Sequence, residues 1–288
     1  MRTLYIIGNG FDLMHQMKSS YKDFHQWLID NSRIDYIAEL QKIFPMSTDG
    51  DYLLWSDFEE ALGECDIETV AQWSLEDLYI TENSISNYVF GSPKLIDTLI
   101  SEIVLNGFAE WAQSIEISRH KAISLNPSSI FLTFNYTDTL EGLYAVPENR
   151  ILHIHGRASI GEPVIVGHQH LIEPSDYLEK DVDFRDNDNI INNMCDYNSL
   201  YKPVEKIIEQ HSPFFEILDR IKNIIVLGHS CSYIDEPYFL QIRKIVDKDA
   251  IWTFSYHNEE DIQRIILLCH HLNINADKIY LNHISIVR

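Results

Sequence analysis

Thr3-Leu4-Tyr5-Ile6-Ile7-Gly8-Asn9-Gly10-Phe11-Asp12 opens the chain and decides how its fold is read. Five β-favouring residues run on without polar alternation and stop at a glycine. That is the pattern of a parallel strand buried on both faces and ending in a tight turn. The same pattern recurs at 129–134, 151–155, 164–166 and 223–227, the last ending in Gly228-His229-Ser230, and again at 251–256 and 279–286. Helical spacing of apolar residues marks 21–29, 34–44, 57–62, 67–79, 94–123, 238–246 and 259–272, whereas the Asp- and Asn-rich stretch 181–193 reads as an exposed loop leading into a helix. Strands alternating with helices predict a single α/β domain over 1–288, with a Rossmann-like, mainly parallel sheet. The helix-favouring block 30–125 between the first two strands is far longer than a crossover requires and predicts a helical insertion or cap.

Composition narrows the function. Lys and Arg number 22 against 44 Asp and Glu, a formal charge of −22, so a general basic surface for nucleic acid is absent and direct nucleic-acid binding is not expected. An anionic ligand would have to be held locally, by backbone N–H groups, a helix N-terminus or a few placed side chains. The four cysteines, Cys65, Cys195, Cys231 and Cys269, are scattered without a Cys-x-x-Cys pair, which fits a reducing compartment. The first apolar run is too short for a signal peptide, and no stretch approaches the roughly 18 apolar residues of a membrane span. The sequence therefore predicts a cytoplasmic protein with no membrane partner.

Four strand ends carry residues suited to chemistry. Gly8-Asn9-Gly10 is a Gly-x-Gly turn that could admit a pyrophosphate, or be only a tight turn, since Leu13 occupies the third glycine position of the dinucleotide fingerprint; Asp12 beside it is a ligand contact or a helix N-cap. In Thr133-Phe134-Asn135-Tyr136-Thr137-Asp138, Asn135 offers two donors and an acceptor for a ribose hydroxyl or a water, or else makes an Asx-turn. In His153-Ile154-His155-Gly156 the two-residue spacing puts both imidazoles on one face. His155, at the mouth beside a glycine that clears space, is the candidate general base, and His153 is read as a hydrogen-bonded core histidine. Gly228 and Ser230, with Ser232 and Asp235 beyond, suit a ribose or phosphate, although Ser232 and Asp235 serve equally as N-caps before Pro237. A second His-x-His, Gly167-His168-Gln169-His170, raises a metallophosphoesterase reading, but the first strand ends in Gly-Asn-Gly rather than the Asp-x-His of a two-metal site, no Asn-His dipeptide lies between it and Gly167, and no metal is expected.

Taken in order, Gly8-Asn9-Gly10-Phe11-Asp12-Leu13 with His15, Tyr21 with Asp23-Phe24, Thr133 to Asp138, His153 to Gly156, Gly167-His168, and Leu227 to Ser230 with Asp235 and Tyr238-Phe239 resemble the AbiH family of phage abortive infection proteins, over essentially the whole chain. The resemblance expects a small residue where Gln16 stands. The same landmarks are similar, more distantly, to sirtuin-type NAD-binding sites. That likeness implies NAD or a related nucleotide as ligand, His155 as the catalytic histidine and Asn135 beside the nicotinamide ribose; the acid that sirtuins carry two residues after this asparagine is replaced by Thr137, with Asp138 next. The sirtuin zinc module of two cysteine pairs has no counterpart, so the expected activity is that of an NAD glycohydrolase rather than a deacylase. In that expectation His155, Asn135 and Asp138 act on the ribose, and Gly8, Asn9, Gly10, Asp12, Thr133, Gly228, Ser230 and Asp235 hold the nucleotide. Two other readings stand beside it: a non-catalytic nucleotide sensor that signals to a protein partner or answers a phage trigger, and the metal-dependent phosphoesterase.

Overall fold

Six strands make one all-parallel sheet: β1 (Arg2–Ile7), β2 (Ile130–Thr133), β3 (Ile151–His153), β4 (Ile221–Leu227), β5 (Ile251–Tyr256) and β6 (Ile279–His283), in the spatial order β3-β2-β1-β4-β5-β6. This is the Rossmann strand order, in which the direction of winding reverses between β1 and β4. The computed structural model describes residues 2–43, 55, 57–64, 100–173, 175 and 184–286.

The central strands are buried on both faces because they are apolar at odd and even positions alike, whereas the edge strand β6 is largely exposed. Leu4, Ile6, Leu132, Phe134, Ile224, Val226, Trp252 and Phe254 face one layer, completed by Val204, Phe215, Phe239, Ile242, Ile265 and Leu268 from four helices. Ile7, Phe131 and Leu227 face the other, with Phe11, Ile123, Leu140, Tyr144 and Val146. Helix Glu259–His271 starts at a reciprocal cap in which Asn258 Oδ1 accepts from the Asp261 amide and the Asp261 carboxylate accepts from the Asn258 amide.

The chain folds as two compact units. The first, Met1–Ser20 with Ala112–Ile165 and Pro203–Arg288, carries the sheet. The second comprises the described residues of Tyr21–Trp111 and Val166–Lys202. Its core is aromatic: Phe24, Phe58 and Phe108 are fully or almost fully buried, with ring centroids 5.3 to 5.7 Å apart. A buried ion pair, Lys202 Nζ to Glu59 Oε1 at 3.0 Å, belongs to the same unit.

Several sequence expectations need correction. Val164-Ile165-Val166 is not a strand; Ile165 donates its amide to His155 O, and no ladder follows. β3 ends at His153 rather than residue 155, because the chain turns at Ile154-His155. Much of the expected loop 181–193 is helix, Phe184–Asn198, whose Met194 and Tyr197, with Leu200 just beyond it, are buried at helical spacing. Of the expected helix 94–123, residues 94–99 lie outside the described residues, and the rest is a π-helical stretch, Ile100–Gly107, followed by an α-helix that ends at Ser114. The helix expected at 67–79 lies outside the described residues. Among the described residues no strand interrupts the segment between β1 and β2, and no helix is long and apolar enough to cross a membrane.

Candidate functional site

Parallel register puts the strand ends in one row. Ile7 pairs with Leu227 on one side and Thr133 on the other, and Thr133 pairs with His153, so the turns that follow all four strands emerge at one edge. In an open α/β sheet that carboxyl edge is where ligands bind.

The β1 and β4 turns close on each other there. Gly8 donates its amide to Leu227 O at 3.0 Å and Gly10 donates to Gly228 O at 2.7 Å, while the Phe11 amide goes to Gly8 O. A Cβ on Gly8 would lie 2.6 Å from His229 Cα, and one on Gly228, at φ +63°, would lie 2.2 Å from Phe11 N. The glycines are thus accounted for by turn-to-turn packing, and the Gly8 and Gly10 amides are already bonded inside the protein. Asn9 uses its amide to hold Ser19 O at 2.7 Å. Gln16, where the family resemblance expects a small residue, has φ 60°, a left-handed conformation that favours one. His15 ties the same turn down: its pKa is lowered by burial, so the neutral ring donates from Nδ1 to Phe11 O and accepts from the Tyr144 hydroxyl at Nε2, both at 2.6 Å.

Asp12 is buried beside the end of β2. Thr137 donates to its Oδ2 at 2.5 Å and Thr139 to its Oδ1 at 2.7 Å. Burial raises its pKa to about 6 against the opposing pull of the two threonines, Asn135 and His153. Asn135 is 7% exposed, and its amide acts on the Asp12 carboxylate without meeting hydrogen-bond geometry; neither Nδ2 nor Oδ1 has a hydrogen-bond partner. Its backbone amide donates to Thr133 Oγ1 at 3.1 Å, which shapes the turn. The side-chain donor thus leans on Asp12, and the buried acceptor Oδ1 is what a polar ligand or ordered water would satisfy.

The two histidines of His153-Ile154-His155 diverge, contrary to the one-face expectation. Because β3 stops at His153, the turn breaks the two-residue period. His153 pairs with Glu141 Oε1 at 2.8 Å on the side of Leu140, while the His155 ring packs against Phe134 and Tyr238 on the other side. The space beside Gly156, φ +87°, belongs to the protein: a Cβ there would lie 2.3 Å from Pro163 O.

His155 joins a cluster built from β4 and the helix Glu236–Ile245. Asp235 occupies that helix's N-cap position but makes no capping bond with its side chain. Its carboxylate instead lies between two imidazoles, with Oδ1 3.8 Å from His155 Nε2 and Oδ2 3.5 Å from His229 Nε2. Since Gly8 packs on the His229 backbone, the first glycine turn, His229, Asp235 and His155 are contiguous.

The candidate residues therefore sort themselves. Asp12 and Asn135 come together, joined by Thr137 and Thr139. His155 and Asp235 come together, joined by His229, which the sequence offers only as a substitute base behind His155 although it follows a buried strand inside Gly228-His229-Ser230. Asp138 turns to Arg157 Nε at 2.6 Å; burial alone would raise its pKa, but Arg157 and Ser159 hold it below the usual carboxylate range. Ser230 is exposed. His168 belongs to the second unit, stacked on Tyr197 with centroids 4.4 Å apart, and burial lowers its pKa to about 4. Among the described residues no three His, Cys, Asp or Glu side chains form a metal-binding group.

Strand order, register and this edge define a Rossmann-ordered parallel α/β protein with buried imidazole and carboxylate groups where such folds take ligands. The family model for bacteriophage abortive infection AbiH matches residues 4–256, and the chain belongs to that family, whose role is abortive infection in phage defence. No curated protein and no solved structure matches it.

Proposed function

We propose that the protein acts in phage defence by binding NAD or a related nucleotide at the carboxyl edge of its sheet and hydrolysing the N-glycosidic bond. The observation that carries this reading is the Asn135 amide, buried with neither polar atom hydrogen-bonded, in the segment whose flanking rings, Phe134 and Tyr136, both contact His155. A side chain with one donor group and one acceptor suits adjacent ribose hydroxyls, each of which can donate and accept.

In the proposed reaction the bond from ribose C1′ to the nicotinamide nitrogen breaks and the electron pair leaves with nicotinamide. The oxygen of a water bonds to C1′, and His155 accepts the proton that water releases. Asp235, within ion-pair range of His155 Nε2, favours the charged imidazolium that results. Asp12, held by Thr137 and Thr139, is the carboxylate beside Asn135 and takes the ribose-orienting part expected of Asp138. The Gly8 and Gly10 amides are bonded internally, so the diphosphate has to be met by other groups along the edge, among which Ser230 offers an exposed hydroxyl.

Incubation of the pure protein with NAD, followed by chromatography, is expected to yield nicotinamide and ADP-ribose. No release from the pure protein or from phage-challenged cells overturns the hydrolase. Saturable NAD binding without turnover would replace it by the sensor.

A further inference from the structure

The proposed reaction gives work to His155 and Asp235 and leaves His229 without a task, although all three are buried together. The geometry points to His229 as a positioning residue that sets the Asp235 carboxylate against His155. The backbone supplies the first link. The Cys231 amide donates to His229 Nδ1 at 2.9 Å, so that nitrogen carries no proton and the neutral ring bears its proton on Nε2. Nε2 is the atom that faces Asp235 Oδ2 at 3.5 Å, and Oδ1 is the oxygen that faces His155. One carboxylate thus stands between two imidazoles, one oxygen to each.

Three features make this a fixed arrangement. Cys231 has φ 55°, a left-handed conformation in the loop after β4, and its amide bonds back to the imidazole two residues earlier. Phe134 stands edge-on to both rings, with centroids 4.4 Å from His229 and 5.1 Å from His155, so neither imidazole can swing without displacing a buried aromatic. Asp235 sits where an N-cap would bond its own helix, yet makes no such bond. Loss of the His229 ring would remove the group that faces Oδ2 and let the carboxylate turn toward its own helix, away from His155. The Cys231 thiol itself is pushed far up by burial, which leaves its backbone as the functional part.

This inference rests on the hydrolase reading only for its kinetic arm. In protein labelled with ¹⁵N-histidine, two-bond proton–nitrogen spectra at neutral pH are expected to show His229 with an unprotonated Nδ1 and a protonated Nε2; the opposite tautomer overturns the proposal. His229→Asn keeps an acceptor for Cys231 but cannot reach Asp235, and should shift the His155 ring signals. His229→Gln, whose amide nitrogen reaches toward the Nε2 position, should restore them in large part. With NAD, His229→Asn is expected to lower kcat about 10²-fold with little change in KM, the usual effect of a misplaced catalytic group. Asp235→Asn should reproduce the His155 shift and serves if His229→Asn fails to fold. Wild-type His155 signals in folded His229→Asn or Asp235→Asn overturn the proposal, and this arm requires no turnover of NAD.

Discussion

Thr137 donates its hydroxyl to Asp12 Oδ2 at 2.5 Å across 125 positions of sequence, and with Thr139 on Oδ1 it leaves a buried carboxylate bound at both oxygens by uncharged donors. No ion pair with Lys or Arg compensates Asp12 among the described residues; burial is the largest influence on its pKa, which lies at about 6 against an ordinary 3.8. The folded protein therefore holds on to a proton that the unfolded chain has already released.

From that relationship follows a pH dependence of definite sign. A folded-state pKa above the unfolded value means that Asp12 contributes most to stability when protonated, and this contribution is lost as pH rises from about 4 through about 6. Asp12→Asn is expected to stabilise the protein at pH 7.5 by about 1–3 kcal/mol, with the difference from wild type shrinking toward zero near pH 4. Urea midpoints of both proteins across that range measure it; a variant less stable than wild type at pH 7.5 contradicts the account.

The threonines should show the opposite trend. Removing one hydroxyl in Thr137→Val or Thr139→Val deprives the ionised carboxylate of a donor and is expected to cost about 1.5–3 kcal/mol at pH 7.5, and less at pH 4.5 where Asp12 is protonated. Equal losses at the two pH values would show that the hydroxyls do not act on the charged form.

Two glycines with positive φ allow a test of turn packing. Gly228→Ala combines backbone strain with a Cβ 2.2 Å from Phe11 N and 2.4 Å from Gly10 C, atoms that cannot move without disrupting the strand end. It is expected to cost more than about 4 kcal/mol or to prevent folding. Gly161→Ala, at φ +74° but with nothing within 4 Å, should cost only about 1 kcal/mol. Similar melting temperatures for the two variants would refute the close-approach explanation.

The paired histidines should separate by function. His155→Ala is expected to reduce nicotinamide release about 10²- to 10⁴-fold in a protein that still folds. His153→Ala removes the hydrogen bond to Glu141 Oε1, leaving that oxygen only Arg157 Nε at 3.8 Å in a carboxylate whose Oε2 already lacks a hydrogen bond, and should cost about 1–3 kcal/mol of stability while changing turnover less. A thermal melt and a release assay on the same preparations decide it, and the reverse pattern would move the base to His153.

Strands buried on both faces were the most legible part of the sequence, because Leu4 to Ile7 and Ile224 to Leu227 are apolar at every position and end in glycine. Elements of mixed composition were not. The helix Phe184–Asn198 has the composition of a loop because it is rich in Asp and Asn, while Met194 and Tyr197 in its second half are buried. Val164-Ile165-Val166 has the composition of a strand, but strand pairing depends on a neighbour in register, and composition does not supply one.

By itself the sequence determined that a parallel α/β sheet forms and that polar motifs stand at the ends of its strands, since both follow from local patterns of burial and turn chemistry. Only the tertiary structure decided what those motifs do. The early end of β3 sent His153 to Glu141 and His155 to Asp235, the meeting of the β1 and β4 turns explained Gly8, Gly10 and Gly228 by packing, and Arg157 claimed Asp138. Each outcome depends on atoms brought together from distant parts of the chain, and distances of that kind are set by the packing of the whole unit rather than by spacing along the sequence.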